Sequence, residues 1–147
     1  MDYLNNIFFI GLMGAGKTTI GRLLAKQMAA AIEELSQLNN IVMATGGGAV
    51  LLPENRALLK SKGKVIYLRA NVHDLWLRTR HDKTRPLLQG GNIKQKLEQL
   101  YIERDPIYTA LADYIVPTGA QSAMEITNHI EQLLQHDYTE ACASKKP

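Results

Sequence analysis

The sequence predicts an α/β fold in which a mostly parallel central sheet carries helices on both faces. Short apolar runs at residues 7–10, 41–44 and 64–68 are typical of strands that are buried on both sides. Amphipathic helical patterns of ten or more residues separate these runs. Strands that alternate with helices in this way favour β-α-β units and a parallel sheet.

The first predicted strand runs directly into a phosphate-binding loop. Residues 11–18 read GLMGAGKT and fit the pattern G-x-x-x-x-G-K-[ST] between a strand and a helix. The glycines let the backbone turn its N–H groups inward, where they and the positive end of the helix attract phosphate oxygens. We expect Lys17 to reach the β- and γ-phosphates of a bound polyphosphate and the Thr18 hydroxyl to ligate Mg²⁺. The motif makes the predicted fold a P-loop three-layer sandwich.

The remaining elements follow in order. The helical pattern that starts at Lys17 runs to Met28 and continues through residues 29–40 without a turn signal. Pro53 and Gly63 delimit the next helix, since proline favours the first turn and glycine the end. Further helices are predicted at residues 71–80, 92–108 and 123–135, with a last strand at 113–116. We expect a single domain over residues 1–137 and a flexible tail at 138–147.

The composition is that of a soluble globular protein and narrows the range of partners. The 147 residues are 46% hydrophobic and 21% charged, which excludes a disordered chain. A net charge of +3 suits small anionic ligands, but it is too weak to indicate nucleic acid. The single cysteine, Cys142, excludes an internal disulfide and favours a reducing compartment. With no leader pattern and no membrane-spanning stretch, we expect a cytoplasmic monomer without nucleic-acid or membrane partners.

Two further loops are candidate ligand sites. Gly46, Gly47 and Gly48 follow a predicted parallel strand at its carboxyl end, where open α/β sheets bind ligands. Residues 78–91 are basic, interrupted by proline and closed by Gly-Gly, which is typical of a mobile lid. Arg78 and Arg85 could supply positive charge to a transferring phosphoryl group. From the residues alone, a plain chain reversal and a solvated surface loop remain open alternatives.

The ordered set of motifs resembles the shikimate kinase family. The motifs are GLMGAGKTTIG at 11–21, ATGGGAV at 44–50, Arg78-Thr79 with RPLL at 85–88, ERDPIY at 103–108, and Gln-Ser at 121–122. The resemblance implies phosphorylation of the 3-hydroxyl of shikimate by ATP, with Mg²⁺, in aromatic amino-acid biosynthesis. The phosphate loop alone would not distinguish this family from many other nucleotide-binding proteins.

The resemblance also implies residue roles. ATP phosphates would be held by Gly14, Ala15, Gly16, Lys17, Thr18 and Thr19, with Thr18 as the Mg²⁺ ligand. Arg85 resembles a lid arginine that acts with Lys17 in catalysis and contacts the ATP phosphates, while Arg78 and Gln121 would lie near the adenine. Gly46, Gly47 and Gly48 would border shikimate. Arg104 would pair with its carboxylate, because a guanidinium fork matches a planar anion.

One part of the family pattern has no counterpart in this sequence. Family members carry a strand ending in Asp-x-Asp and a helical substrate segment with Gly-Phe-Arg before the glycine triplet. Here no aspartate occurs between Asp2 and Asp74, and Met28 runs almost directly into Ile32. The segment supplies a Mg²⁺-associated carboxylate, the aspartate that accepts the hydroxyl proton and a second arginine for the substrate carboxylate. Either the polypeptide lacks this segment, or it is longer at this point than the sequence given.

Two other functions remain open at the level of the sequence. The missing segment makes a nucleotide-binding module without turnover a credible alternative. A different P-loop kinase, acting on gluconate or a nucleoside monophosphate, would share the fold. Arg104 and the glycine triplet argue against that second alternative.

Overall fold

The strands that the structure describes pair in parallel, in agreement with the predicted mostly parallel sheet. The structure, a computed structural model, describes residues 6–12, 14–32, 42–45, 49–80, 92–119 and 121–144. Among these residues the sheet has four strands in the order β2-β1-β3-β4. The strands are β1 (Asn6–Ile10), β2 (Val42–Ala44), β3 (Gly63–Ala70) and β4 (Tyr114–Thr118).

Helices connect the strands and cover the sheet. They are α1 (Lys17–Ile32), α2 (Pro53–Lys62), α3 (Val72–Thr79), α4 (Ile93–Leu111) and α5 (Ala123–Ser144), with a 3₁₀ turn at Ala49–Leu51. The chain travels from β1 to β2 in one direction and then crosses back past β1 to β3. Because such crossovers are right-handed, opposite directions of travel put α1 and α2 on opposite faces. The reversal of direction creates a switch point between β1 and β3, at whose carboxyl edge ligands bind in folds of this kind.

The two central strands lie in the middle of the core, and buried side chains of the helices pack around them. Residues 7–10 of β1 and 65–68 of β3 are all buried, including the fully enclosed Phe9, Ile10 and Leu68. Strands buried on both faces leave no room for polar alternation, which explains the uninterrupted apolar runs. The predicted α/β fold with a parallel sheet is therefore confirmed.

Asparagine side chains cap two of the helices at their N-termini. Asn71 caps α3 by accepting a hydrogen bond from the Asp74 N–H at 2.8 Å. Asn92 caps α4 by accepting from the Gln95 N–H at 3.2 Å. Gly63 ends α2 and also begins β3 opposite Asn6, where a Cβ would overlap the Asn6 carbonyl. Only glycine fits this register.

Two helices are longer than predicted. α4 runs through Pro106 to Leu111, and α5 continues beyond Gln135 to Ser144. Residues 138–144, part of the expected flexible tail at 138–147, belong to this helix, and the division of the chain at residue 137 stays a prediction. Alanine and glutamate favour the helix in this stretch, and no glycine or proline interrupts it before Pro147. Residues 33–41, the second half of the long helix expected after Lys17, lie outside the described residues.

The described part of the chain contains no helix that combines the length and apolar character needed to cross a bilayer.

Candidate active site

The phosphate-binding loop is wedged between β3 and α3. Gly11 and Gly14 have φ angles of +145° and +85°, which side-chain-bearing residues rarely adopt. A Cβ on Gly11 would lie 2.7 Å from the Leu68 carbonyl oxygen, and one on Gly14 would lie 2.8 Å from Cγ2 of Thr79. The loop backbone therefore needs glycine for its conformation and also for its close approach to neighbouring elements.

The loop directs N–H groups and one ammonium group toward the same place. The first helical hydrogen bond of α1 is donated by the Ile20 N–H to the Gly16 carbonyl at 2.9 Å. The N–H groups of Lys17, Thr18 and Thr19 precede it and have no acceptor within the helix. The Lys17 ammonium donates to the Gly11 carbonyl and so stays over its own loop. This arrangement suits polyphosphate oxygens.

A cleft of about 270 Å³ opens beside the loop. It is lined by Gly14, Ala15, Gly16, Thr19, Ile20, Arg78, Thr118, Gln121, Ala123 and Ile126. The structure thus brings Arg78 and Gln121, both predicted from sequence to lie near adenine, to the same cleft as the phosphate loop. No carboxylate is among these lining residues.

Arg78 is attached directly to the phosphate loop. Its Nη1 donates to the Gly14 carbonyl at 2.9 Å, and the next residue, Thr79, packs its methyl group against Gly14. Thr79 is buried, and its hydroxyl donates to the Leu75 carbonyl of its own helix at 2.7 Å. The carboxyl end of α3 therefore supports the loop, a role that sequence reasoning did not assign to Thr79.

Thr118, at the end of β4, also lines the cleft and was not predicted from the sequence. Thr118 is buried, and its hydroxyl has no hydrogen-bond partner among the described residues. Gln121 accepts a hydrogen bond from the Gly119 N–H at 3.1 Å, which fixes the turn after the strand. The available signal for Thr118 was its position at the carboxyl end of a parallel strand.

Arg104 lies on α4 and is buried, with only 7% of its surface exposed. Burial raises the pKa of the neighbouring Tyr108 phenol, while the charge of Arg104 and its hydrogen bond to Tyr108 act in the opposite direction. The Nη1 of Arg104 is also buried and has no hydrogen-bond partner within the described ranges. A buried cationic donor without an acceptor is costly, so this group favours binding of an anion. Arg104 does not line the cleft beside the loop.

The glycine triplet and most of the lid cannot be placed. Gly46, Gly47, Gly48 and Arg85 lie outside the described residues, as does the rest of the lid from 81 to 91. Thr45, just before the triplet, is described: its N–H and its hydroxyl both donate to the Phe9 carbonyl, at 3.0 and 2.9 Å. These contacts fasten the end of β2 to β1. The roles of the triplet and of Arg85 stay predictions.

Few of the described side chains near the phosphate loop could ligate a metal ion. Within the described part of the chain, no three His, Cys, Asp or Glu side chains come together as a metal site. Thr18 is exposed in the first turn of α1, beside the loop. One hydroxyl fits Mg²⁺ bound mainly through ATP phosphates and water, since this ion commonly keeps several waters.

Comparison with known proteins decides the family. The family model described as shikimate kinase matches residues 27–135. The shikimate kinase of Cupriavidus pinatubonensis is 47% identical over 165 aligned residues, which cover 88% of this chain and 86% of the relative. The chain belongs to the shikimate kinase family. The predicted family and its enzyme class, a kinase, are confirmed.

Solved structures agree with this assignment. A shikimate kinase from Acinetobacter baumannii, solved in complex with shikimate, has a TM-score of 0.82 and 34% identity, and the match covers 91% of this chain and 94% of that one. A gluconokinase from Sinorhizobium meliloti has a TM-score of 0.54 at 14% identity over 95% of this chain and 99% of that chain. At that identity the second likeness shows the fold alone.

The lengths of the alignments bear on the missing segment. The alignment with the Cupriavidus pinatubonensis kinase spans 165 residues, whereas the whole chain has 147. Within the aligned span, the shikimate kinase family member therefore contains residues that have no counterpart here. Their location near residues 28–32 stays a prediction from the sequence.

Proposed function

We propose that this chain transfers the γ-phosphoryl group of ATP to the 3-hydroxyl of shikimate. The observation that carries the proposal is Arg104, a buried guanidinium with an unpartnered Nη1 in the ERDPIY motif of a shikimate kinase family member. A planar carboxylate is the natural partner of such a fork. Gluconate also carries a carboxylate, so the acceptor has to be distinguished by experiment.

The chain's own residues would act mainly by positioning and by charge. The N–H groups at the start of α1 and the Lys17 ammonium would hold the phosphates of ATP, and Arg78 and Gln121 would line the rest of the nucleotide cleft. Arg85 is proposed as the lid arginine from its match to the family motif. Mg²⁺, held through Thr18, would supply charge neutralisation at the phosphates. The expected cytoplasmic location and monomeric state stay predictions.

A second candidate function is ATP binding without efficient turnover. It is favoured by the nucleotide cleft, whose lining residues include no carboxylate, and by the sequence, which has no aspartate between Asp2 and Asp74. A general base contributes roughly 10²- to 10⁴-fold to a rate. A chain without that base would hold both substrates and transfer the phosphoryl group slowly.

The test is a release assay for ADP with three acceptors in parallel: shikimate, gluconate and a nucleoside monophosphate. The proposal expects ADP release that depends on shikimate and not on the other two. Release with gluconate alone would contradict the proposal. Calorimetric binding of ATP without release on any acceptor would support the second candidate instead.

Arg104→Ala tests the residue that carries the proposal. We expect the dissociation constant for shikimate to rise by about 10- to 100-fold, because a charge-assisted hydrogen bond contributes about 1.5–3 kcal/mol. The dissociation constant for ATP should change by less than about twofold. Arg22→Ala, which removes an exposed arginine on α1, is the matched control and should change neither value. Equal losses for both ligands would rule out a substrate role for Arg104.

A further inference from the structure

One face of β3 is tied to the middle of α4 through a single carboxylate. Tyr67 and Arg69 are two residues apart on β3, so their side chains lie on the same face of the sheet. The Tyr67 hydroxyl donates to Asp105 Oδ1 at 2.8 Å. Arg69 approaches the same carboxylate through Nε, 3.0 Å from Oδ1, and through Nη2, 3.1 Å from Oδ2. We call Tyr67, Arg69 and Asp105 the β3–α4 clamp.

The clamp lies beside Arg104, the residue that we expect to bind an anion. Asp105 directly follows Arg104 on α4, and Arg104 hydrogen-bonds Tyr108 one turn further on. The Tyr67 ring packs against the Tyr108 ring with centroids 5.0 Å apart and a tilt of 45°. Tyr67 therefore contacts Asp105 through its hydroxyl and the partner of Arg104 through its ring.

Burial makes this arrangement stiff. Tyr67 and Tyr108 are almost fully enclosed, at 1% and 0% exposure. The Asp105 side chain is 18% exposed, so its charge is largely removed from water. The two-point contact with Arg69 and the phenol hydrogen bond compensate for that desolvation. Two hydrogen bonds, from the Tyr67 hydroxyl and from Arg69 Nη2, and the ion-pair contact with Arg69 Nε hold the carboxylate in place.

Packing explains why holding Asp105 matters. Consecutive residues of a helix do not face each other, so Asp105 acts on Arg104 through the placement of α4 and through Tyr108, which contacts the Tyr67 ring and hydrogen-bonds Arg104. In the structure Asp105 is engaged by Arg69, and the buried Nη1 of Arg104 has no acceptor among the described residues. The cluster thus keeps one buried donor available for an incoming anion.

We propose that the β3–α4 clamp is a positioning device for Arg104. It fixes the register of α4 on β3, and it holds Tyr108, the hydrogen-bond partner of Arg104, against the Tyr67 ring. Asp105 and Tyr67 thereby raise the affinity for the substrate carboxylate without touching it. This inference rests on the proposed function, in which Arg104 binds the carboxylate of shikimate.

The experiment uses two conservative variants of the full chain. Tyr67→Phe removes one hydroxyl and keeps the ring against Tyr108, and Asp105→Asn keeps the shape and removes the charge. Calorimetry with shikimate and, separately, with ATP gives the two dissociation constants. We expect the value for shikimate to rise by about 5- to 10-fold in each variant, which corresponds to roughly one hydrogen bond, and the value for ATP to stay within about twofold.

Two controls separate positioning from general stability. Tyr101→Phe removes a phenol that accepts from Arg69 Nε at 3.0 Å, and it should leave shikimate binding within about twofold. In an Arg104→Ala background, Tyr67→Phe should produce no further loss of shikimate affinity, because the clamp acts through Arg104.

The outcomes are distinct. The inference would be overturned if the clamp variants lost as much affinity for ATP as for shikimate. It would also be overturned if Tyr67→Phe lowered shikimate affinity as much in the Arg104→Ala background as it does in the unmodified chain, because the clamp would then have only a structural role. Unchanged shikimate affinity in both clamp variants would overturn it as well. Failure of the unmodified chain to bind shikimate would instead reject the proposed function, and the positioning role with it.

Discussion

Tyr67 is a buried phenol whose ionisation opposes the folded state. Burial raises its pKa far above the ordinary value of about 10, and the hydrogen bond and charge of Asp105 act in the same direction. In the unfolded chain this phenol loses its proton near pH 10, while in the folded chain it keeps it. Above that pH the unfolded state therefore binds fewer protons, and stability is lost as the pH rises.

The upward shift of the Tyr67 pKa leads to a prediction for unfolding at alkaline pH. The free energy of unfolding, measured with urea, should fall as the pH rises above about 10, where the phenol ionises in the unfolded chain and not in the folded one, and Tyr67→Phe should make that fall less steep. At neutral pH the same variant should be destabilised by about 1 kcal/mol, the value of one hydrogen bond. Tyr108, whose pKa burial also raises, accounts for part of the remaining slope. If the free energy of unfolding fell with pH equally steeply in the unmodified protein and in Tyr67→Phe, the assignment to Tyr67 would be contradicted.

Lys17 carries a second prediction at this scale. Lys17→Ala should lower the rate of phosphoryl transfer by about 100-fold or more, because charge stabilisation of the transferring group is lost. The fold should survive, since Lys17 is a partly buried side chain beside its own loop. Lys26→Ala, an exposed lysine on the same helix, is the control and should keep its rate. Retained transfer in Lys17→Ala would disprove the assignment of the phosphate loop.

At the scale of elements, the phosphate loop depends on α3. Gly14→Ala places a Cβ at a positive φ, which costs about 1–2 kcal/mol, and 2.8 Å from Cγ2 of Thr79. We expect a lower unfolding midpoint and weaker ATP binding. Thr79→Ser deletes the methyl group that the new Cβ would meet, so the double variant should recover part of the loss.

A glycine elsewhere serves as the control for this prediction. A Cβ on Gly119 would have its nearest neighbour at an ordinary 3.7 Å, and its φ is not in the region that favours glycine. Gly119→Ala should therefore leave the unfolding midpoint nearly unchanged. If Gly14→Ala were equally harmless, the loop would not be wedged against Thr79 as described.

The elements were predictable where one local signal defined them. The helices expected near residues 71 and 92, Pro53 at a helix start and the apolar runs of β1 and β3 all depend on a few neighbouring residues, and the structure agrees with each. The end of α5 was missed because no glycine or proline marks it before Pro147. The clamp was not predictable, because Tyr67 and Asp105 are brought together only by packing of α4 on β3. Nothing in their local sequence shows that contact.

At the scale of the whole molecule, we expect the internal length of the chain to determine the rate of phosphoryl transfer. The protein of this sequence has a mass of 16.4 kDa, and its relative carries residues within the aligned span that have no counterpart here. We expect a protein of this mass to bind ATP and to phosphorylate shikimate roughly 10²- to 10⁴-fold more slowly than the Cupriavidus pinatubonensis kinase, which is the usual contribution of a general base.

A chimera tests whether the missing segment limits the rate. Inserting the relative's internal segment between Met28 and Ile32 should restore much of the rate, while the dissociation constant for ATP changes little. An unmodified chain that turns over as fast as the relative would refute the idea that its base is missing. Intact mass of the protein from its natural source, compared with 16.4 kDa, shows whether the segment belongs to the polypeptide.

The position of β1 between β2 and β3 also determines when the nucleotide site can form during synthesis. The loop residues leave the ribosome early, but Gly11 rests on the Leu68 carbonyl and Gly14 on Thr79. Both supports are made long after the loop, and contacts between distant parts of a chain close slowly. We therefore expect ATP to stabilise the chain only after Thr79 has left the ribosome, so that nucleotide assists the late steps of folding.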